Sequence, residues 1–246
     1  MFAKNLYVSL VCAVVVVASM FAGTAWGATS QSASAEPKKK ADIEPAEALA
    51  ELQAGNQRFI TSSRTKSTDT SHDAARRHEL NQGQHPIAAV LCCADSRVSP
   101  EFIFDQAPGT LFEIRNAGNV VDDDVIASIE YAVEHLHVPV VVVMGHYKCG
   151  AIQAVHDADG KPLPEHLAAI QLHMKDLEAE VHELHADNSQ VTLNRISADN
   201  AVAQTKALLA QCKVLREAVE KKQVRVVTME YDLESGEAGV LPGAVK

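Results

Sequence analysis

The sequence predicts a single α/β domain, a mostly parallel central sheet flanked by helices, and three observations carry that prediction. Residues 87–92 and 139–144 are short, unbroken apolar runs of buried-strand length. Between them, 111–114 reads as a third strand and 121–136 as a helix, so strands and helices alternate. The residues richest in chemistry follow directly on the two apolar runs, at the strand ends where such sheets bind ligands.

Taken in order, residues 1–27 read as an export signal. Lys4 supplies the positive start, 6–23 an apolar stretch, and Ala25-Trp26-Gly27 the small residues of a cleavage site. The mature protein is then expected to begin near Ala28 and to be periplasmic, with no membrane contact after cleavage. A retained anchor is the alternative, because the apolar stretch is near the lower length for a span. Cys12 follows bulky Val11, which argues against a lipoprotein site. Residues 28–42, rich in Ser, Ala and Lys, read as a flexible linker, and the folded domain is expected over 43–246.

Within that domain, 44–59 carries Ala46, Leu49 and Leu52 at helical spacing, with Phe59 and Ile60 at its end. A Ser/Thr-rich loop over 61–71 precedes a short helix over 73–80. After 139–144 a helix is expected to start near Gly150. Long helical patterns cover 164–185 and 198–221, and 224–231 is a late strand running to the turn-like Glu234-Ser235-Gly236.

Composition narrows the function. With 246 residues and 47% hydrophobic content the chain can bury a core without disulfide staples. A formal charge of −10, with no basic block beyond Lys38-Lys39-Lys40, excludes a phosphate-tracking surface and hence nucleic acid as a partner.

Two runs hold the chemistry: Cys93-Ala94-Asp95-Ser96-Arg97 and His146-Tyr147-Lys148-Cys149. Two thiolates and one imidazole suit tetrahedral zinc, and three protein ligands leave the fourth position for water or substrate. Cys93, His146 and Cys149 are therefore the candidate ligands of a zinc hydrolase or hydratase. Cys149, at a helix start, has its thiolate favoured by the helix N-terminus. Asp95 lies within reach of a metal on Cys93, and Arg97 can engage its carboxylate. Two other readings use the same residues: a disulfide, in an exported chain, and a closed structural zinc site with Asp95 as fourth ligand. Cys92, pointing opposite to Cys93, and Cys212, on a helical pattern, read as core.

These runs resemble the signature of the β-class carbonic anhydrases. The resemblance extends from about Ala46 to Leu241 and takes in Gly55-Asn56-x-Arg58-Phe59, Phe104-Asp105-Gln106, Arg115-Asn116-Ala117-Gly118-Asn119 and Ile129-Glu130-Tyr131-Ala132. It implies a zinc enzyme interconverting carbon dioxide and bicarbonate, with Cys93, His146 and Cys149 on Zn2+ and Asp95 and Arg97 as the catalytic dyad. Gln84 matches a glutamine that reaches substrate across a subunit interface, while Phe112 and Tyr131 match aromatic pocket residues and Val98 lines that pocket. The family further implies a homodimer or homotetramer with N-terminal helices over 43–80 wrapped on the partner subunit. Members with an allosteric bicarbonate pocket carry tryptophan where this chain has Val90, so the accessible, plant-like form is expected. Tyr147 departs from the small residue of many relatives. A sister hydrolase acting on carbonyl sulfide or carbon disulfide, and a non-catalytic zinc or thiol protein, are the competing functions. His166, His173, His182 and His185 read as a solvated helix face rather than a proton relay.

Overall fold

The computed structural model describes residues 43–69, 73–174 and 189–245, so the expected signal, the whole of the expected linker, and His182 and His185 lie outside the described residues. Among the described residues five strands form one sheet: β1 (Ala88–Cys93), β2 (Leu111–Asn116), β3 (Val140–His146), β4 (Arg225–Tyr231) and β5 (Ala238–Val245). Their order is β2-β1-β3-β4-β5. The first four run parallel and β5 is antiparallel to β4. The chain leaves β1 toward β2 on one side and returns to β3 on the other. The ends of β1 and β3 therefore meet at the point where strand order reverses, the position at which open α/β sheets bind ligands.

Side chains along β1 and β3 alternate between two buried faces, which is why both strands read as continuous apolar runs. On one face Ala88, Val90, Cys92, Val140, Val142 and Met144 pack beneath α1 (Pro45–Ile60), which contributes Ala48, Leu49 and Leu52. On the other, Ala89, Leu91, Val141 and Val143 meet α4 (Asp123–Glu134) through Val125, Ile129 and Ala132. Cys92 and Cys212 are both core, as their settings in the sequence suggested.

The residues of the Gly55-to-Phe59 motif prove to be architectural. A Cβ on Gly55 would lie 1.8 Å from the Phe104 carbonyl oxygen, so only glycine lets α1 approach that closely. Asn56 is buried and donates to the carbonyls of Ile103 and Gly236 while accepting from the Ala238 N–H, tying α1 to β5. Arg58 Nε meets Asp105 at 2.6 Å, and the same carboxylate accepts from the N–H groups of Thr65, Lys66 and Ser67 and from the Ser67 hydroxyl. Asp105 thereby fixes the loop leading to α2 (Asp73–Leu80), a helix with no buried residue. The expected N-terminal arm over 43–80 divides accordingly: α1 packs into its own chain's core, and only α2 is left uncovered there.

Two expectations need correction, and one strand was not anticipated. The helix expected over 164–185 is, within the described residues, a 3-10 turn at Glu165–Leu167 and α6 (Ala168–Leu172), following α5 (Gly150–Asp157) and the short α3 (Pro100–Ile103). The rest of that span, from 175, lies outside the described residues. The helix expected over 198–221 is two helices, α7 (Gln190–Gln211) and α8 (Lys213–Glu220), broken where Cys212 turns extended and its sulfur caps α8 by accepting from the Leu215 N–H. α7 also starts earlier, at an N-cap serine, Ser189. β5 had no counterpart in the sequence reading, because Gly239, Pro242 and Gly243 disguise it; proline is tolerated on an edge strand.

Candidate metal centre

Strand ends place the three candidate ligands. Cys93 closes β1, His146 closes β3, and Cys149 stands immediately before α5. Their donor atoms all lie within 4.8 Å of one another and all three residues are buried. The two sulfurs are 3.9 Å apart and form no disulfide. Two thiolates bound to one tetrahedral zinc at about 2.3 Å are expected about 3.8 Å apart, so the pair fits the ion. His146 Nδ1 meets the Tyr147 carbonyl at 2.9 Å, which assigns the ring proton to Nδ1 and leaves the Nε2 lone pair for the cluster. Nε2 has no hydrogen-bond partner although it is buried, as a metal-ligating nitrogen would be.

The thiols are unequal. Hydrogen bonding from Cys149, aided by the Gly118 N–H, draws Cys93 well below the usual thiol range. Its hydrogen bond to Cys93 and its burial hold Cys149 above that range. A divalent cation between them is the group that would stabilise both thiolates at once. Cys92, by contrast, is pushed up to about 12 by burial and stays an inert thiol.

Asp95 and Arg97 form a two-point pair beside the cluster. Arg97 Nε reaches Asp95 Oδ1 at 2.9 Å and Nη2 reaches Oδ2 at 2.7 Å, with the Arg97 N–H adding a third bond to Oδ1. Chiefly through that guanidinium, the Asp95 carboxyl is held down at about 2. Asp95 Oδ2 lies 3.9 Å from His146 Nε2, adjacent to the ligand set. Arg97 also donates to the Lys148 carbonyl, and Arg115 binds the carbonyls of Cys93, Asp95 and Val98, so the turn carrying the pair is held from both sides.

The expected substrate residues are placed elsewhere. Val98, anticipated on a pocket wall, is fully buried in the core under α1. Gln84 and Tyr131 border one surface depression of about 360 Å³ together with His85 and His135, and Phe112 lies against Tyr131 with ring centroids 6.0 Å apart. Phe112 is in register with Ala89, four residues before Cys93. At about 3.3 Å per residue, that is some 13 Å back along the sheet from the metal cluster. His166 and His173 are exposed, as a solvated face requires.

A set of residues on α7 was not anticipated. Asn194, Ser197, Asn200 and Gln204 recur at helical spacing and bond the backbone of the two ligand loops. Their signal in the sequence was polar residues at spacings of three and four inside a helical pattern, which masks an apolar face rather than announcing one. Glu230 was also missed. It is only 6% exposed, opposite Gly145, and neither carboxyl oxygen has a hydrogen-bond partner.

The family model described as carbonic anhydrase matches residues 88–238. A carbonic anhydrase of Mycolicibacterium smegmatis is 45% identical over 114 residues, 46% of this chain and 54% of the relative. One from Pseudomonas aeruginosa is 36% identical over 170 residues, 65% of this chain and 76% of the relative. The chain thus spans about half the length of its mycobacterial relative. Among solved structures, a tetrameric β-carbonic anhydrase of Sordaria macrospora superposes with a TM-score of 0.62 at 29% identity, covering 72% of this chain and 95% of that one. A β-carbonic anhydrase of Aspergillus fumigatus gives 0.64 at 29% identity, over 80% and 91%.

Proposed function

The chain belongs to the β-class carbonic anhydrase family, and from that premise we propose that it catalyses the reversible hydration of carbon dioxide to bicarbonate and a proton. The observation carrying this reading is the convergence of Cys93, His146 and Cys149 at the strand-order reversal, next to a paired carboxylate and guanidinium. When bound there, zinc supplies the Lewis acidity that makes water nucleophilic near neutral pH.

The chain's own residues do the rest. Two thiolates offset the charge of the divalent ion, and the Nδ1 bond to the Tyr147 carbonyl holds the imidazole in the tautomer that presents Nε2. Arg97 occupies both Asp95 oxygens, which keeps the carboxylate beside the ligand set instead of completing it. Asp95 remains ionised across the neutral range, and its Oδ2, 3.9 Å from His146 Nε2, would accept a hydrogen bond from a water beside the cluster. That arrangement favours the open, catalytic site over a closed structural one. Val90, fully buried among Ala88 and Cys92 on the α1 face, fits the accessible form without a regulatory bicarbonate pocket.

Gln84, Phe112 and Tyr131 support a second element of the reading. They cluster with one another, and Phe112 lies about 13 Å along the sheet from this chain's own candidate ligands, which supports their serving the metal centre of another copy. Tyr131 is 44% exposed, and β2 is a sheet edge beside it. A homodimer or homotetramer follows, with carbon dioxide held against the aromatic pair; its assembly parallels the tetramer of Sordaria macrospora. Export to the periplasm rests on residues 1–27 of the sequence, and no described helix is long and apolar enough to cross a membrane.

The test is stopped-flow carbon dioxide hydration with zinc content measured on the protein and on Cys149→Ser. The expected result is one zinc per chain with hydration activity, both lost in the variant. Full zinc without hydration in the parent would refute the reading. A fully active monomer by light scattering would refute the shared site.

A further inference from the structure

We propose that the buried polar stripe of α7 is a positioning device for the metal centre, in which Ser197 and Asn200 govern how His146 and Cys93 present their donor atoms. The inference rests on the metal-centre reading and adds residues that contact no candidate ligand atom.

Ser197 and Gln204 are each 2% exposed and Asn200 is 0% exposed. Burying such groups is unfavourable unless each is hydrogen-bonded, and a helix meant only to cover the sheet would present leucines, as α7 does at Leu208. These side chains instead bond backbone atoms of the two ligand loops. The Asn200 amide donates to the Gly118 carbonyl at 2.9 Å, and the Gly118 N–H in turn donates to Cys93 Sγ at 3.4 Å. Gly118 holds a left-handed φ of 78°, so its N–H points at sulfur only while that conformation is pinned. Gln204 orients Asn200 by donating to its Oδ1 at 3.0 Å, and itself accepts from the Val121 N–H.

On the other loop, the Ser197 hydroxyl donates to the His146 carbonyl at 2.8 Å. One turn earlier, Asn194 Oδ1 accepts from the N–H of Lys148, another left-handed residue, at 3.1 Å. One rigid helix therefore references residues 118 and 121 on the Cys93 side and 146 and 148 on the His146 and Cys149 side. Independent movement of the two loops would change the separation of the donors. A helix bonded to both removes that freedom.

Thr205 provides the internal control. It lies on the same helix, 7% exposed, but bonds Thr228 on β4 and its own helix, not a ligand loop. The experiment compares the parent with Ser197→Ala, Asn200→Ala and Thr205→Val, measuring zinc affinity by chelator competition and the sulfur-to-cobalt charge-transfer band of the cobalt(II) form. Ser197→Ala and Asn200→Ala are expected to weaken zinc by about 10- to 100-fold, the usual range for outer partners of a metal site. Asn200→Ala also shifts the charge-transfer band, because the Cys93 sulfur loses its N–H donor. Thr205→Val keeps both at the parent's values even where it lowers stability.

Affinities within about threefold of the parent with an unmoved band, or an equal loss in Thr205→Val, would overturn the proposal. Should Asn200→Ala fail to fold, Ser197→Ala and Asn194→Ala carry the affinity comparison under the same criteria. A parent that takes up no cobalt(II) overturns the metal-centre reading itself, and that outcome is read before any variant is compared.

Discussion

Replacing Glu230 by Gln should change the pH dependence of stability in a calculable way. The Glu230 carboxyl sits between β3 and α7: its Oε2 is 2.3 Å from where a Cβ on Gly145 would stand, a space that also borders Ala201. Ser197, its polar neighbour, spends its hydroxyl on the His146 carbonyl. Burial, with a small contribution from Asp199, pushes the carboxyl up from 4.5 to about 8. In the unfolded chain the group ionises near its ordinary value, while in the folded chain it keeps its proton up to about pH 8. Unfolding between those limits releases a proton, so stability falls as pH rises through the window and levels off above it. That rise, at 1.36 kcal/mol for each tenfold change in proton affinity, sets a ceiling of about 5 kcal/mol. Gln fills the same space without titrating. The stability of Glu230→Gln relative to the parent should therefore climb by up to about 1.4 kcal/mol per pH unit between pH 5 and 8, then flatten. Urea unfolding of both zinc-loaded proteins by far-ultraviolet circular dichroism, from pH 5 to 9, measures it. The other titrating groups cancel in the difference. A constant difference across that range would refute the assignment of a protonated, buried Glu230.

Three further outcomes are expected. Asp95→Asn keeps zinc but lowers kcat/KM for carbon dioxide hydration by about 100-fold or more, since an amide cannot replace a carboxylate acceptor beside the site; unchanged kinetics by stopped flow would remove Asp95 from the mechanism. Asp105→Ala strips the loop at 65–67 of its acceptor and leaves Arg58 without its strongest partner, at a cost of about 3 kcal/mol in urea unfolding. Because the same bonds hold Asp105 below the usual carboxylate range, its stabilisation is complete above the ordinary value near 4 and is lost as pH falls through the depressed one. Gly55→Ala drives a methyl into the Phe104 carbonyl and is expected to cost about 2 kcal/mol or more, with the melting temperature as readout; a parent-like value would show that α1 can shift away freely.

Much of the sheet was legible because β1 and β3 are buried on both faces, which writes them as unbroken apolar runs. The expected strand ends fell one to two residues short of Cys93 and His146, since ligand residues at a strand terminus are not apolar filler. α7 was the harder case. Its inward face is partly polar, so the hydrophobic period that marks α4 is cancelled and the start at Gln190 was missed. The break at Cys212 was equally hidden, because a cysteine that caps one helix and ends another looks like one more core position. The ligand trio and the Asp95–Arg97 pair were legible because each partner lies within two or three residues of another at a strand end.

By itself the sequence determined the candidate donor set, since the two thiols and one imidazole of Cys93, Cys149 and His146 are side chains that suit a soft tetrahedral ion. It also determined the pairing of Asp95 with Arg97, two residues apart on one turn. Only the tertiary structure decided what holds and completes the centre. The Asn200 bond to Gly118 spans 82 residues and the Ser197 bond to His146 spans 51, so no local pattern encodes them. Likewise, the strand register separates Phe112 from this chain's own candidate ligands by about 13 Å, a distance that no local pattern around Phe112 encodes. Local chemistry follows from side-chain identity, whereas positioning depends on which distant backbone groups the fold brings within hydrogen-bond reach.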